Sequence, residues 1–490
     1  MRQLVARSLF WLVWTRAGIN VVSVLNTVIL ARLLLPREFG LAGLATIWTE
    51  LISALAEFGL GAAIIQFRDI DPEDLNTSFW LTMLLGAAGY AGLFFASPAL
   101  EAWFAAPGLS PVLRVASLSL LLICARVVPD GLLRRDIKLD KVAKAQMLGS
   151  ILGALVGVAT ALAGGGVWAL VYATLATALV TTYASYVFCH WWPGWRLGTR
   201  QFGAIVSFSL AALGTKLIFV LRSRVDEFVV GKVLGQAPLG FYLMARNLAL
   251  MPVDRLGGII GQLATSVMAS LQTERGHQAD ILLQSIRLVA AISFPICIGM
   301  LLEAQDLVLV MLGPHWVSMV PVFQILCVFA TYRSIDVLLP PLLSSHRRQW
   351  FLFGYSFANI MVLAPFLWLG ARFAGTVGVA SVYVLVYPFF VVWLVRETLR
   401  TARVKWRDLL RQLAAPTAAC LLMIGAVLLI HLGLDRVGVA AALPRLLVSA
   451  LIGAGVYACT ILCSGSPVVA ELKVVLGWVL RPLGLKSRTT

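Results

Sequence analysis

The residues with chemistry to offer in this sequence are ionisable groups that interrupt long apolar runs. Arg16, Glu50, Glu57 and Arg114 lie on early runs; Lys216, Arg222, Arg224, Asp226, Glu227, Arg246, Arg287, Arg333 and Asp336 lie on later ones. A charge at a helix centre facing lipid costs about 2.5–3.5 kcal/mol, so these groups must face a cavity or one another. Glu50 and Glu57 are seven apart and share one helix face. Arg222 with Asp226, and Arg333 with Asp336, have the i,i+4 and i,i+3 spacings of local ion pairs. Within this set Arg and Lys outnumber carboxylates. A cavity so lined suits an anion, and Arg suits phosphate through its planar donor fork. A cation exporter would be expected to centre on unpaired acids instead.

Nothing else in the sequence is arranged for catalysis. The five histidines, His190, His277, His315, His346 and His431, are scattered along the chain. There is no Gly-x-x-x-x-Gly-Lys loop for a nucleotide, and no His-Glu-x-x-His or nucleophile-elbow pattern. The seven cysteines fall in or beside apolar segments without a Cys-x-x-Cys pair, and read as small buried hydrophobes. No catalytic residue, metal ligand or cofactor is therefore assigned, and the chain is not read as an enzyme.

The elements that must carry these charges follow from composition. Of 490 residues, 60% are apolar or aromatic and 13% are charged, with a mean hydropathy of +0.90. Soluble domains carry about 25% charged residues, and one membrane-spanning helix takes about 20 apolar residues. The reading is an all-α integral membrane protein with about 14 transmembrane helices, from Leu9–Leu34 to Leu443–Cys463. The runs are continuous, unlike the alternating strands of an outer-membrane barrel. Arg16 breaks the first run and no small-residue cleavage site follows, so that run is a span and not a removed signal peptide.

The net charge of +16 would suggest nucleic acid in a soluble protein, but loop charges account for most of it. Even-numbered connections hold Arg134, Arg135, Lys138, Lys141 and Lys144, then Arg347 and Arg348, then a run from Arg396 to Arg411. The odd-numbered connections are sparse in Lys and Arg. By the positive-inside rule both termini are cytoplasmic. Residues 467–490 have helical apolar spacing with Lys473 and Arg481, the pattern of an amphipathic helix on the inner leaflet.

A repeat appears at an offset of 200 residues. Arg32-Leu33-Leu34, Phe39-Gly40 and Ala45 align with Lys232-Val233-Leu234, Leu239-Gly240 and Ala245, and Thr15-Arg16 falls on Thr215-Lys216. Six spans separate the copies, and an even number preserves direction, so the halves are parallel repeats with the substrate path between them. The expected organisation is an N-lobe at 1–200, a C-lobe at 201–400, two appended spans at 401–466, and the tail. Arg16 and Lys216 occupy equivalent positions. Arg16 lies about 13 Å into its span at 1.5 Å per residue, too deep for an ordinary loop charge.

Specific stretches resemble a known family. Leu35-Pro36-Arg37-Glu38-Phe39-Gly40-Leu41-Ala42 and Glu57-Phe58-Gly59-Leu60-Gly61-Ala62-Ala63 are similar to the opening pattern of the polysaccharide transporter (oligosaccharide flippase) family. That family belongs to the multidrug/oligosaccharidyl-lipid/polysaccharide exporter superfamily. Gly166-Val167-Trp168-Ala169-Leu170-Val171 resembles the start of its span 6. Asp226 through Gly235, then Leu239-Gly240-Phe241-Tyr242, resembles its hallmark at spans 7 and 8. The resemblance covers spans 1 to 12 and fades beyond them. It implies a two-lobed bundle with a central cavity and alternating access, in a bacterial cytoplasmic membrane. It also implies a cargo of undecaprenyl-diphosphate-linked oligosaccharide for exopolysaccharide, capsule or O-antigen.

On that resemblance Arg16 and Lys216 would hold the diphosphate. Arg222 and Arg246 would line the path, with Arg287 a further cavity cation and Glu57 and Asp226 the candidates for ion coupling. Partners would be the lipid-linked oligosaccharide, membrane lipid, and the polymerase and glycosyltransferases of the same pathway, with no nucleic acid. Two other classes make different demands on the sequence. A cation-coupled multidrug exporter of the same superfamily predicts dominant intramembrane acids. A membrane polymerase or ligase predicts a large outer loop bearing Arg, His or acidic groups, and the outer loops here are short.

Overall fold

The computed structural model describes residues 2–67, 70–198, 200, 202–270, 275–437 and 441–464; side chains are described from residue 18 onward save 202, 211, 212, 215, 256–276 and 437. The expected tail helix at 467–490 and the side chain of Arg16 fall outside these. The described residues are helical throughout, without strands. They pack as two compact units, Met1–Leu243 and Met244–Thr490. The helix that begins at Phe202 belongs to the first of them.

In the first unit the helices are α1 (Arg2–Leu33), α2 (Pro36–Ala56), α3 (Leu60–Gln66), α4 (Pro72–Phe104) and α5 (Leu109–Ala116). They continue with α6 (Leu118–Arg135), α7 (Leu139–Leu162), α8 (Trp168–Cys189), α9 (Phe202–Leu234) and the start of α10 (Gln236–Ser270). Pro36 opens α2, where its missing N–H costs nothing, and the Glu38 carboxylate accepts the Leu35 N–H at 2.7 Å. The sequence predicts one continuous helix from Phe39 to Gln66. The chain instead turns at Phe58 (φ 50°) and Gly59 (φ 69°), left-handed angles that end one helix and start another. The short α3 is thereby redirected into a core in which Leu60 and Ile64 meet Phe79, Val127, Val128 and Leu132. Polar side chains in this apolar setting close onto backbone carbonyls: Tyr186 donates to Ala125 at 2.8 Å and Thr182 to Leu122 at 3.0 Å.

The second unit contains the rest of α10, then α11 (Arg275–Leu302), α12 (Ala304–Met311), a 3-10 turn (Pro314–Met319), α13 (Val320–Asp336) and α14 (Leu339–Ser345). After these come α15 (Gln349–Leu385), α16 (Tyr387–Ala402), α17 (Trp406–Val437) and α18 (Ala442–Cys463). Non-helical angles at Ala374 and Gly375 divide α15 in two, where the sequence separates spans 11 and 12. The last two helices are tied to the unit by polar contacts. Tyr457 donates to the Ala291 carbonyl at 2.8 Å, His431 meets Glu303 at 2.7 Å, and Arg445 lies 2.9 Å from Asp435 and 3.5 Å from Asp306.

Ten described helical segments are long and apolar enough to cross a membrane, and one of them, Gln349–Ala402, runs for 54 residues. The protein is therefore a multi-pass helical membrane protein. α9, with its five ionisable residues between Lys216 and Glu227, is not among the ten.

Candidate functional site

In the first unit, α2 and α9 pack side by side and bring together charges that are distant in sequence. Glu50 stands on α2 and Glu57 caps its C-terminal end two turns later, and Lys216 and Arg224 stand on α9. The Lys216 ammonium donates to the Glu57 carboxylate, which also accepts from the Ser53 hydroxyl at 3.3 Å. Both members of this pair are partly exposed, Lys216 at 38% and Glu57 at 28%. Water or a competing anion can therefore reach it.

The Arg224 guanidinium is engaged on every side. Its Nε and one terminal nitrogen grip Glu50 in a bidentate pair at 2.9 and 2.7 Å, and the other terminal nitrogen lies 2.7 Å from both oxygens of Glu227. Glu227 is 1% exposed. A fork–fork pair of this kind is among the stronger and more directional charge contacts available to Arg. Nearby, buried Asp226 accepts a hydrogen bond from Tyr242 at 2.6 Å. The two clusters differ in how fully the cation is used: Arg224 has its donors on two carboxylates, one buried (Glu227) and one partly exposed (Glu50, 43%), while Lys216 and Glu57 form a single, partly exposed pair.

This arrangement alters the charge inventory read from sequence. Lys216, considered as a free cation, has Glu57 against it, and Glu50 and Glu227 neutralise Arg224. Glu57 and Lys216, assigned to coupling and to substrate respectively, are one unit. Arg222 on α9 and Arg246 on α10 are half-buried. In the second unit Arg287 donates to Gln412 at 2.7 Å. The spacing of Arg333 and Asp336 predicted a local pair. The Asp336 carboxylate takes the Tyr387 hydroxyl at 2.6 Å, and Arg333 has no ion-pair partner among the described residues. An i,i+3 spacing permits a pair but does not require one, because a buried hydroxyl from another helix competes for the acid.

Tyr242 carries a sequence signal only as part of the Leu239–Tyr242 motif, without a role, and Tyr387 and Gln412 carry none beyond a hydroxyl or amide in or beside an apolar run. The sequence does single out Gly40 and Gly240, and the structure gives them a physical role. A Cβ on Gly40 would lie 1.7 Å from the Gln236 carbonyl oxygen, and one on Gly240 would lie 1.8 Å from the Pro36 carbonyl oxygen. The starts of α2 and α10 thus cross backbone to backbone, each glycine admitting the carbonyl four residues before the other. Arg37 joins the same crossing through Gln236 at 2.8 Å.

Comparison with known proteins agrees with this architecture. The chain is 24% identical over 493 residues to an uncharacterised membrane protein in the cps region of Klebsiella pneumoniae, covering 98% of both chains. It is 24% identical to the lipopolysaccharide biosynthesis protein WzxC of Escherichia coli K12, over 73% of each chain. The similarity to the Klebsiella protein takes in the last two helices, beyond the stretch where the sequence motifs fade. Among solved structures, the lipid II flippase MurJ in an inward closed conformation superposes with a TM-score of 0.71 at 11% identity, covering 92% of this chain and 97% of that one. The likeness is one of fold. The profile of the polysaccharide biosynthesis protein family matches residues 29–321, more than half of the sequence, and the chain belongs to that family.

Proposed function

We propose that the protein translocates undecaprenyl-diphosphate-linked oligosaccharide repeat units across the cytoplasmic membrane, by alternating access, for the synthesis of a surface or secreted polysaccharide. The observation that carries this reading is the accessible Lys216–Glu57 pair inside apolar helices of a polysaccharide biosynthesis protein. A diphosphate cannot cross hydrocarbon unaided and needs fixed cations in place of its water. In this scheme the incoming diphosphate displaces Glu57 from Lys216, and the freed carboxylate takes up a proton or cation. Departure of the cargo lets the pair re-form. Arg224 stays in its knot and holds α2 to α9 throughout. Arg16, Arg222, Arg246 and Arg287 serve as further cations along the path, and Asp226 is a second candidate for coupling.

The same reading makes 14 spans: the ten apolar segments with Gln349–Ala402 counted twice, plus α1, α9 and α10. Both termini are then cytoplasmic. The lobes of 1–200 and 201–400 are parallel repeats, with 401–466 appended and 467–490 on the inner leaflet. The reciprocal Gly40–Gln236 and Gly240–Pro36 contacts support that symmetry, because a two-fold relation makes residue i meet j while j's equivalent meets i's.

Two measurements test the proposal. A deletion strain should accumulate lipid-linked oligosaccharide on the inner leaflet and lose surface polysaccharide; unchanged surface glycan with no accumulation refutes the cargo. A multidrug exporter would instead show drug sensitivity on deletion. For the pair, Lys216→Gln is expected to cut export by about tenfold or more, the loss of one charge-assisted phosphate contact. The double variant Lys216→Gln, Glu57→Gln removes the uncompensated acid, so it should insert normally and still fail to export. Normal export by the double variant would make the pair purely structural.

A further inference from the structure

Among the described residues, the second unit holds an intramembrane cation without a counter-charge. Arg333 lies on α13, within the apolar stretch Pro314–Ser345. It stands in the last turn of α13, three residues before Asp336, and the apolar stretch runs on for 12 residues beyond it, through a turn and α14, to Ser345. Among the described residues it has no hydrogen-bond or ion-pair partner, and its Nε is buried without an acceptor. Its guanidinium lies over the Phe329 ring, whose centroid is 5.7 Å from Cζ. The acid one turn away, Asp336, is held by Tyr387.

The contrast with the paired cations is direct. Arg224 has spent its donors on two carboxylates, and Arg287 donates to an amide. Arg333 keeps its planar donor fork open, with part of the side chain exposed. A permanent charge within a long apolar stretch cannot face lipid cheaply, so its exposed part must open on a polar space. A buried donor without an acceptor is rare in native structures and costly unless something supplies one. The aromatic face of Phe329 steadies a guanidinium without neutralising it.

We infer that Arg333 binds the phosphate oxygens of the transported polyprenyl diphosphate, as an anion contact in the second unit separate from the Lys216–Glu57 pair. This rests on the cargo class proposed above. Phosphate is the chemistry favoured by an open fork, because two parallel N–H donors match two phosphate oxygens. The shared chemistry could come from a lipid diphosphate or from free pyrophosphate, and the test separates them.

The full-length protein in lipid nanodiscs is titrated with farnesyl diphosphate, inorganic pyrophosphate and farnesol, with binding read by tryptophan fluorescence. Wild type is expected to bind farnesyl diphosphate. Arg333→Gln should weaken that binding by about tenfold or more, and Arg333→Lys by a smaller factor of roughly three, since a point charge remains but the fork is lost. Farnesol binding should be the same in all three proteins. Equal farnesyl diphosphate affinity in wild type and Arg333→Gln overturns the assignment and leaves the cargo reading standing. No binding to wild type overturns the cargo reading and the assignment with it. Pyrophosphate binding as tight as farnesyl diphosphate would make this a site for free phosphate and overturn the lipid assignment. A second measurement needs no variant. Phenylglyoxal labelling of Arg333 in the wild-type protein, followed by mass spectrometry, should slow by about fivefold with saturating farnesyl diphosphate, as a ligated guanidinium requires; an unchanged rate overturns the inference.

Discussion

Replacing Arg224 by Met is expected to remove most of the protein from the membrane fraction. The substitution keeps the volume of the stem but leaves the carboxylate of Glu227, 1% exposed, buried beside the partly exposed Glu50 without the cation that joins them. Removing one partner of a buried ion pair costs about 3–5 kcal/mol, because the remaining charge is left desolvated and uncompensated. Total stabilities run to only about 5–15 kcal/mol, so a loss of that size shows as failed accumulation. The companion variant Arg224→Met, Glu50→Gln, Glu227→Gln carries no orphaned charge and should recover most of the wild-type level. Quantitative immunoblots of membranes, with melting temperatures in detergent, decide the matter. If Arg224→Met alone melts like wild type, the knot contributes nothing to the α2–α9 contact.

The second large effect is expected at the helix crossing. Gly40→Ala and Gly240→Ala each place a methyl group within 2 Å of a carbonyl oxygen of the opposing helix. The obstacle is backbone and not a flexible side-chain tip, so the helices must separate. Overpacking of this kind costs about 1–3 kcal/mol, occasionally more. Each variant is expected to melt several degrees lower than wild type. Gly425→Ala in α17 is the control: a Cβ there meets nothing within 4 Å, and Ala is better than Gly in a helix by about 1 kcal/mol. It should melt at or above the wild-type temperature. Gly40→Ala with an unchanged melting temperature would mean that the crossing is looser than its geometry indicates.

These two cases divide what could be read in the chain from what could not. Gly40 and Gly240 stood out in the sequence as matched positions of a 200-residue repeat. That they touch each other's helices was not legible, since sequence self-similarity relates two elements without saying whether they meet. Glu50 and Glu57 were correctly placed on one face, because the helical period fixes directions along a continuous element. Their partners on α9 lie 174 and 159 residues away, and no local rule reaches that far. The turn at Phe58 and Gly59 is not legible, because Gly is common inside membrane helices and an apolar run containing it reads as uninterrupted. The division of α15 at Ala374–Gly375 is legible, because the two apolar stretches there are each long enough to span on their own.

The sequence by itself determined the medium and the helical character of the protein. Sixty per cent apolar residues in long continuous runs cannot be solvated by water, and in lipid every backbone polar group must be satisfied within a helix or a closed barrel. It also determined that the buried charges need company, since their cost in hydrocarbon follows from residue type alone. The tertiary structure decided which charges are neutralised. Glu57 answers Lys216, Glu50 and Glu227 answer Arg224, and Tyr387 takes the acid that sequence spacing had offered to Arg333. Ion pairing acts over a few ångströms in space, and only the packing of helices brings groups remote in sequence within that range.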